Sequence, residues 1–192
     1  MGMKLLRILL ASVVISSCAG DRPPTSAPTS PTEEFSAIYA NISNVGAVGA
    51  APVKIRITRW TGDEEHETLM SVLSTKGTEA LVRELSDVKS VGSIGTQQEL
   101  PYDLRYARQY PLKGGGRRLV LMSDRPMSGV ERMSNSESRD YPLTWIDITL
   151  DAAGRGEGTI SLAARLRLVG NVLGVEGFAN QPAKLNEVRK VK

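Results

Sequence analysis

From Phe35 onward, apolar and polar residues alternate mostly with a period of two, the pattern of strands that bury one face. The clearest run places Ile160, Leu162, Ala164, Leu166 and Leu168 on one face and Thr159, Ser161, Ala163, Arg165 and Arg167 on the other. Just before it, Ile146, Ile148 and Leu150 alternate with Trp145, Asp147 and Thr149, and the connection across residues 151–158 carries Gly154, Gly156 and Gly158. Glycine reaches positive φ without a Cβ penalty, so the two runs are predicted to form a hairpin. A second hairpin is predicted from residues 102–110 through Gly114-Gly115-Gly116 to residues 118–123. Its unbroken Leu119-Val120-Leu121-Met122 suits a strand covered on both faces. Shorter strands are expected at residues 36–43, 53–60 and 172–178 and near the C-terminus.

One segment breaks the alternation. Thr61-Gly62-Asp63-Glu64 has the form of a capping box, and Leu69, Val72 and Leu73 follow at helical spacing until Gly77 stops them. A second short helix is predicted from Thr78, with Leu81, Val82 and Leu85 on one side. A helical hairpin near residues 62–86, inserted among strands, makes the predicted fold α+β, mainly antiparallel β, with about seven to nine strands. Barrel and sandwich both remain open, because each buries one face of every strand.

The N-terminal corner follows different rules. Lys4 and Arg7 precede an apolar run from Ile8 to Ile15, which is too short for a membrane span of about 20 residues and ends in small residues. Ile15-Ser16-Ser17-Cys18 resembles the lipobox of bacterial lipoproteins: an aliphatic residue, two small ones, then a cysteine. The resemblance implies a signal peptide over 1–17, and a Cys18 that takes diacylglycerol and a further acyl chain such as palmitate and becomes the new N-terminus. Cys18 is the only cysteine. An ordinary signal peptide with an incidental Cys18 is the alternative. Residues 18–34 hold four prolines among serines and threonines, a composition that cannot bury a core and instead makes a tether. Extended at about 3.1 Å per residue, it would reach roughly 50 Å from the lipid. Residues 35–192 form the expected single globular domain. The address implied is the cell envelope, and the outer membrane in a diderm host, because Ala19 stands where aspartate signals inner-membrane retention in such lipoproteins.

Loss of Lys4 and Arg7 with the signal, and of no acid, takes the net charge from +3 to +1. Nothing in that balance favours nucleic acid as a partner, and the basic tail of Lys184, Arg189, Lys190 and Lys192 is interrupted by Glu187. His66 is the only histidine, placed early in an acidic helix where a solvated role is expected. Asp63, Glu64, Glu65 and Glu67 suit a helix N-terminus, where they complement the dipole. The glycine clusters lack the context of dinucleotide or phosphate loops, so no cofactor, metal or catalytic residue is expected.

The least ordinary feature is arginine and tyrosine concentrated between Tyr102 and Arg125. Arg105, Tyr106, Arg108, Arg117, Asp124 and Arg125 are the candidate ligand-binding residues, with Tyr102, Tyr106, Arg108 and Tyr110 on one strand face. Arginine offers a planar fork of donors and tyrosine an apolar body with a polar tip, a combination suited to an anionic or sugar-like ligand. Structural Arg–Asp pairs, including Asp124 with a neighbouring arginine, are the competing explanation. Residues 126–142 show no sustained period and are expected to be a surface loop or a lid. The series Arg105-Tyr106-Ala107, Gly115-Gly116-Arg117-Arg118, Asp124-Arg125-Pro126, residues 154–158 and Gln181-Pro182-Ala183-Lys184-Leu185 resembles that of small exported bacterial proteins of uncharacterised function. The resemblance implies an address but no activity.

Three classes of function follow. The first is a non-catalytic binding or structural module that meets an envelope protein or small ligand and is held to the membrane by its lipid. The second is a barrel-like carrier of a small apolar ligand. The third is an envelope enzyme with Asp124, Asp147 or Glu157 converging on arginines in a cleft.

Overall fold

The computed structural model describes residues 32–43, 48–97, 100–127, 140–169 and 172–192. The expected signal peptide, Cys18, nearly all of the tether and most of the 126–142 segment lie outside them. Among the described residues ten strands and one α-helical element appear in the order β1 (Glu33–Asn41), β2 (Gly49–Ile57), α1 (Asp63–Asp87), β3 (Gly92–Gly95), β4 (Tyr102–Leu104), β5 (Tyr106–Pro111), β6 (Arg117–Ser123), β7 (Leu143–Leu150), β8 (Arg155–Val169), β9 (Val172–Gly177) and β10 (Ala183–Lys190). All pairings are antiparallel, in the order β4-β3-β2-β1-β10-β8-β7-β6-β5, with β9 added to β8. Among the described residues no helix is long and apolar enough to cross a membrane.

The sheet curls into a nearly closed barrel because its two ends belong to one stretch of chain. β4 pairs with β3 and β5 pairs with β6, and only Arg105 separates β4 from β5. At that seam the Arg105 N–H donates to the Met122 carbonyl at 2.9 Å. Thr61 covers the outer edge of β5: its N–H donates to the Ala107 carbonyl at 2.7 Å, and its hydroxyl accepts from the Ala107 N–H at 3.0 Å. That use of Thr61 displaces the expected capping box. The helix N-cap is Gly62, which makes no side-chain cap bond.

Side chains fill the barrel interior. Phe35, Ile55, Leu104, Leu119, Leu121 and Ile146 are fully buried in one apolar cluster drawn from strands around the ring. Gly156 and Gly158 let β7 and β8 approach closely, since a Cβ on Gly156 would stand 1.8 Å from the Thr149 carbonyl oxygen.

A second cluster lies outside the barrel, where Leu69, Leu73, Leu81 and Leu85 of α1 cover Tyr106, Val120 and Met122. Residues 119–122 are therefore buried on both faces, as their unbroken apolar run predicts. The helix stops at Gly77, as the sequence predicts: Gly77 has a non-helical φ of 79°, and the 25 residues of α1 are two helical segments that meet there at a kink. Both parts of α1 contribute to the same cluster. Thr78, just past the break, donates its hydroxyl to the Leu166 carbonyl at 2.6 Å and accepts from the Leu166 N–H at 3.2 Å.

The longest strand also departs from its simple alternation. The β7–β8 register slips between Leu143↔Ala164 and Trp145↔Ser161. Such a bulge reverses which side chains face inward. Ile160, Leu162 and Ala163 belong to the barrel interior, while Ala164 and Leu166 belong to the cluster beneath α1. Leu162 and Leu166 are both buried, but in different cores.

Candidate functional site

The cross-strand register sets two rows of side chains on the outer face of the barrel. Tyr106, Met122, Trp145 and Ser161 form one row, and Arg108, Val120, Asp147 and Thr159 the next. All of them but Arg108 floor a groove of about 740 Å³, walled on one side by His66 and Met70 of α1 and on the other by Leu173 and Val175 of β9 with residues 179–182. A second depression of about 810 Å³ continues from it past Gly156 and Gly158, sharing Arg118, Asp147 and Thr159.

The polar groups of the groove are locked to one another. Arg118 lies opposite Thr149, two residues along the neighbouring strand from Asp147, and its Nε donates to both Asp147 carboxylate oxygens at 2.9 and 3.1 Å. His66 Nδ1 and the Tyr106 hydroxyl share a hydrogen bond of 2.9 Å. Burial, then the Arg108 charge, holds His66 below the ordinary histidine range, against the pull of Asp63 and Glu67. Burial and the contact with Tyr110 push the Tyr106 hydroxyl well above the ordinary tyrosine range. A neutral imidazole beside a firmly protonated phenol gives a donor and an acceptor for recognition. It gives no activated nucleophile, which would need a lowered hydroxyl pKa.

The sequence-predicted residues do not assemble into one site. Tyr106 is on the groove floor. Arg108 pairs with Asp63 at 2.6 Å near the start of α1 and lies over the Tyr110 ring. Arg105 is at the barrel seam, bonded to Asp124 at 3.2 Å and to the Val88 carbonyl at 3.0 Å, while Arg125 lies over the Tyr102 ring. Arg117 joins Glu33, the first residue of β1, and Gln109. Burial works to raise the Glu33 carboxyl, yet Arg117 and Lys190 hold it below its ordinary value. Tyr102 and Tyr106 do not share a face as expected. The irregular Arg105 between β4 and β5 reverses the alternation, so Leu104 faces the barrel interior and Tyr106 the helix.

His66, Met70, Arg118, Trp145 and Ser161 line the groove without having been candidate ligand-binding residues in the sequence, and Asp147 entered there only through the enzyme alternative. The strand residues among them interrupt or flank an apolar alternation, while His66 and Met70, on α1, carry no such signal. Of the three carboxylates of the enzyme alternative, Asp124 lines neither depression, whereas Asp147 and Glu157 both line the second one together with Arg118 and Arg155. Comparisons with family models, with curated proteins and with solved structures find no match to this chain.

Proposed function

We propose that this chain is a lipid-tethered, non-catalytic binding module of the cell envelope, and that it takes its ligand or partner in the groove on the outer face of the barrel. The groove itself carries this reading: an apolar floor of Val120, Met122 and Trp145 is edged by donors and acceptors already held in place. Arg118 and Asp147 cancel each other's charge, so the fitting ligand is a neutral or mixed polar and apolar molecule rather than the anion suggested by the arginine count. The carrier alternative is compatible with a barrel. Because side chains fill the interior, an apolar cargo would sit in the outer groove.

Trp145 reports occupancy. In the Trp60→Phe chain it is the sole indole, and cell-envelope extract should shift its emission. Asp147→Lys, which sets two cations side by side on the floor, should abolish that shift in a chain that still unfolds cooperatively, at a lower thermal midpoint because Arg118 loses its counter-charge. Emission indifferent to every envelope fraction would overturn the groove assignment.

The address has its own test. Globomycin should accumulate the precursor, and Cys18→Ser should abolish labelling by a palmitate analogue. Unchanged labelling would sink lipidation, and recovery solely in inner-membrane fractions of a diderm host would contradict the outer-membrane assignment.

A further inference from the structure

We propose that β9 pairs edge to edge with the β9 of a second copy of this chain, about a two-fold axis through Val175. The backbone supplies the first argument. β9 pairs with β8 from Val172↔Val169 to Gly177↔Ala164, and one step further the Phe178 N–H donates to the Ala163 carbonyl at 2.9 Å. Bonded and non-bonded pairs alternate along an antiparallel ladder, so Val172, Gly174 and Glu176 use their main-chain groups on β8. Those of Leu173, Val175 and Gly177 point the other way. Among the described residues no strand pairs with that edge, and Gly174, Val175, Glu176 and Gly177 are all exposed. Natural sheets protect such an edge with lysine, proline or a bulge, and Val-Leu-Gly-Val-Glu-Gly has no lysine or proline.

The second argument selects the occupant. Outward groups spaced two residues apart match another extended polypeptide, and the set Leu173, Val175, Gly177 maps onto itself under a two-fold axis at Val175. In that register Val175 meets its own copy, Leu173 meets Gly177, and Gly174 meets Glu176. Charges fall into complementary rows. Arg165 lies opposite Glu176 and Arg167 opposite Gly174 within one copy, and Arg165 and Arg167 both reach Glu176, at 3.0 and 3.4 Å. Across the axis the row reads Arg167, Gly174, then the second copy's Glu176 and Arg165, so no like charges stand directly opposite. Gly174 leaves room for Arg167 to reach the second carboxylate. On the other face the row reads Leu166, Val175, then the second copy's Val175 and Leu166, apolar throughout. Leu173 and Val175 also wall the groove, so pairing would set two grooves side by side, whatever each binds.

The test uses the full chain carrying Cys18→Ser. It should sediment as a dimer. Val175→Pro removes an N–H that the β8 ladder does not use, and Val175→Lys places a charge on the axis. Each should leave a monomer that still unfolds cooperatively, at a thermal midpoint that no longer depends on protein concentration. Facing Cα atoms in a bonded antiparallel pair stand about 5.5 Å apart, within disulfide reach. Val175→Cys should therefore give a covalent dimer on oxidation, whereas Lys54→Cys, on the exposed face of β2, should not. A wild-type chain that stays monomeric overturns the proposal, as it would if β9 received a segment of some other protein. A dimer unaffected by both Val175 substitutions overturns it as well.

Discussion

Phe35→Ala should lower the free energy of unfolding by about 3–5 kcal/mol, the range for truncating a buried phenylalanine whose cavity cannot collapse. The side chain is fully buried, and its strand is held on both flanks, opposite Ile55 of β2 and Lys190 of β10. A ring of paired strands has little freedom to close over the void. The Arg117 guanidinium also stands over the Phe35 ring, 5.7 Å from its centroid, while it binds Glu33. Losing the ring removes a stacking surface from an ion pair that is itself partly buried. Ile38→Ala is the control, because Ile38 lies in the same strand and is 39% exposed. Urea unfolding should show a large drop in midpoint for the first variant, little change for the second, and similar slopes for both. Equal losses would mean that β1 does not face the core as described.

Alternation along the chain is enough to place most of the strands, because a half-buried strand must repeat every second residue. The hairpin through residues 151–154 was legible for the same reason. Its turn is closed by the Asp151 carboxylate, which accepts from the Ala153 and Arg155 N–H groups, and by Gly154 at φ 73°. Barrel closure was not legible, since it depends on the chain changing partners across Arg105, and no side-chain pattern records which neighbour a strand chooses. The bulge near Leu162 was hidden by its own sequence. Apolar residues continue at even positions from Ile160 to Leu168 although the core they enter changes. The short β3 was missed because Gly92-Ser93-Ile94-Gly95 offers one large apolar side chain.

The groove was the least legible part. Its floor takes one or two residues from each of several strands, its walls come from α1 and β9, and none carries a motif. Position on an acidic helix gave His66 a solvated expectation. Its hydrogen-bond partner Tyr106 is forty residues away, and only the fold brings them together. Arginine-rich sequence pointed elsewhere for an equally physical reason. A buried or half-buried guanidinium requires a counter-charge, and Glu33, Asp63 and Asp124 meet Arg117, Arg108 and Arg105 at three separate places.

Leu166→Ala should cost about 2–5 kcal/mol, and the loss should concentrate in the attachment of α1. Leu166 is 2% exposed and packs with Leu69, Leu73, Leu81 and Leu85 rather than with the barrel interior. Its main chain is also pinned to Thr78, the residue that follows the break at Gly77. Truncating the side chain removes the apolar contact from the very point where the helix is bonded to β8. Amide exchange should then accelerate along α1 at lower denaturant than in β1, β2 and β10, because regions open according to their local stability. Arg167→Ala, on the exposed face next along the strand, should change stability by no more than about 0.5 kcal/mol. Two results would defeat this account: a cost for Arg167→Ala equal to that for Leu166→Ala, or exchange in Leu166→Ala that rises uniformly through barrel and helix. Either would mean that the cluster beneath α1 is not a separate core and that the bulge near Leu162 does not divide β8 between two packing surfaces.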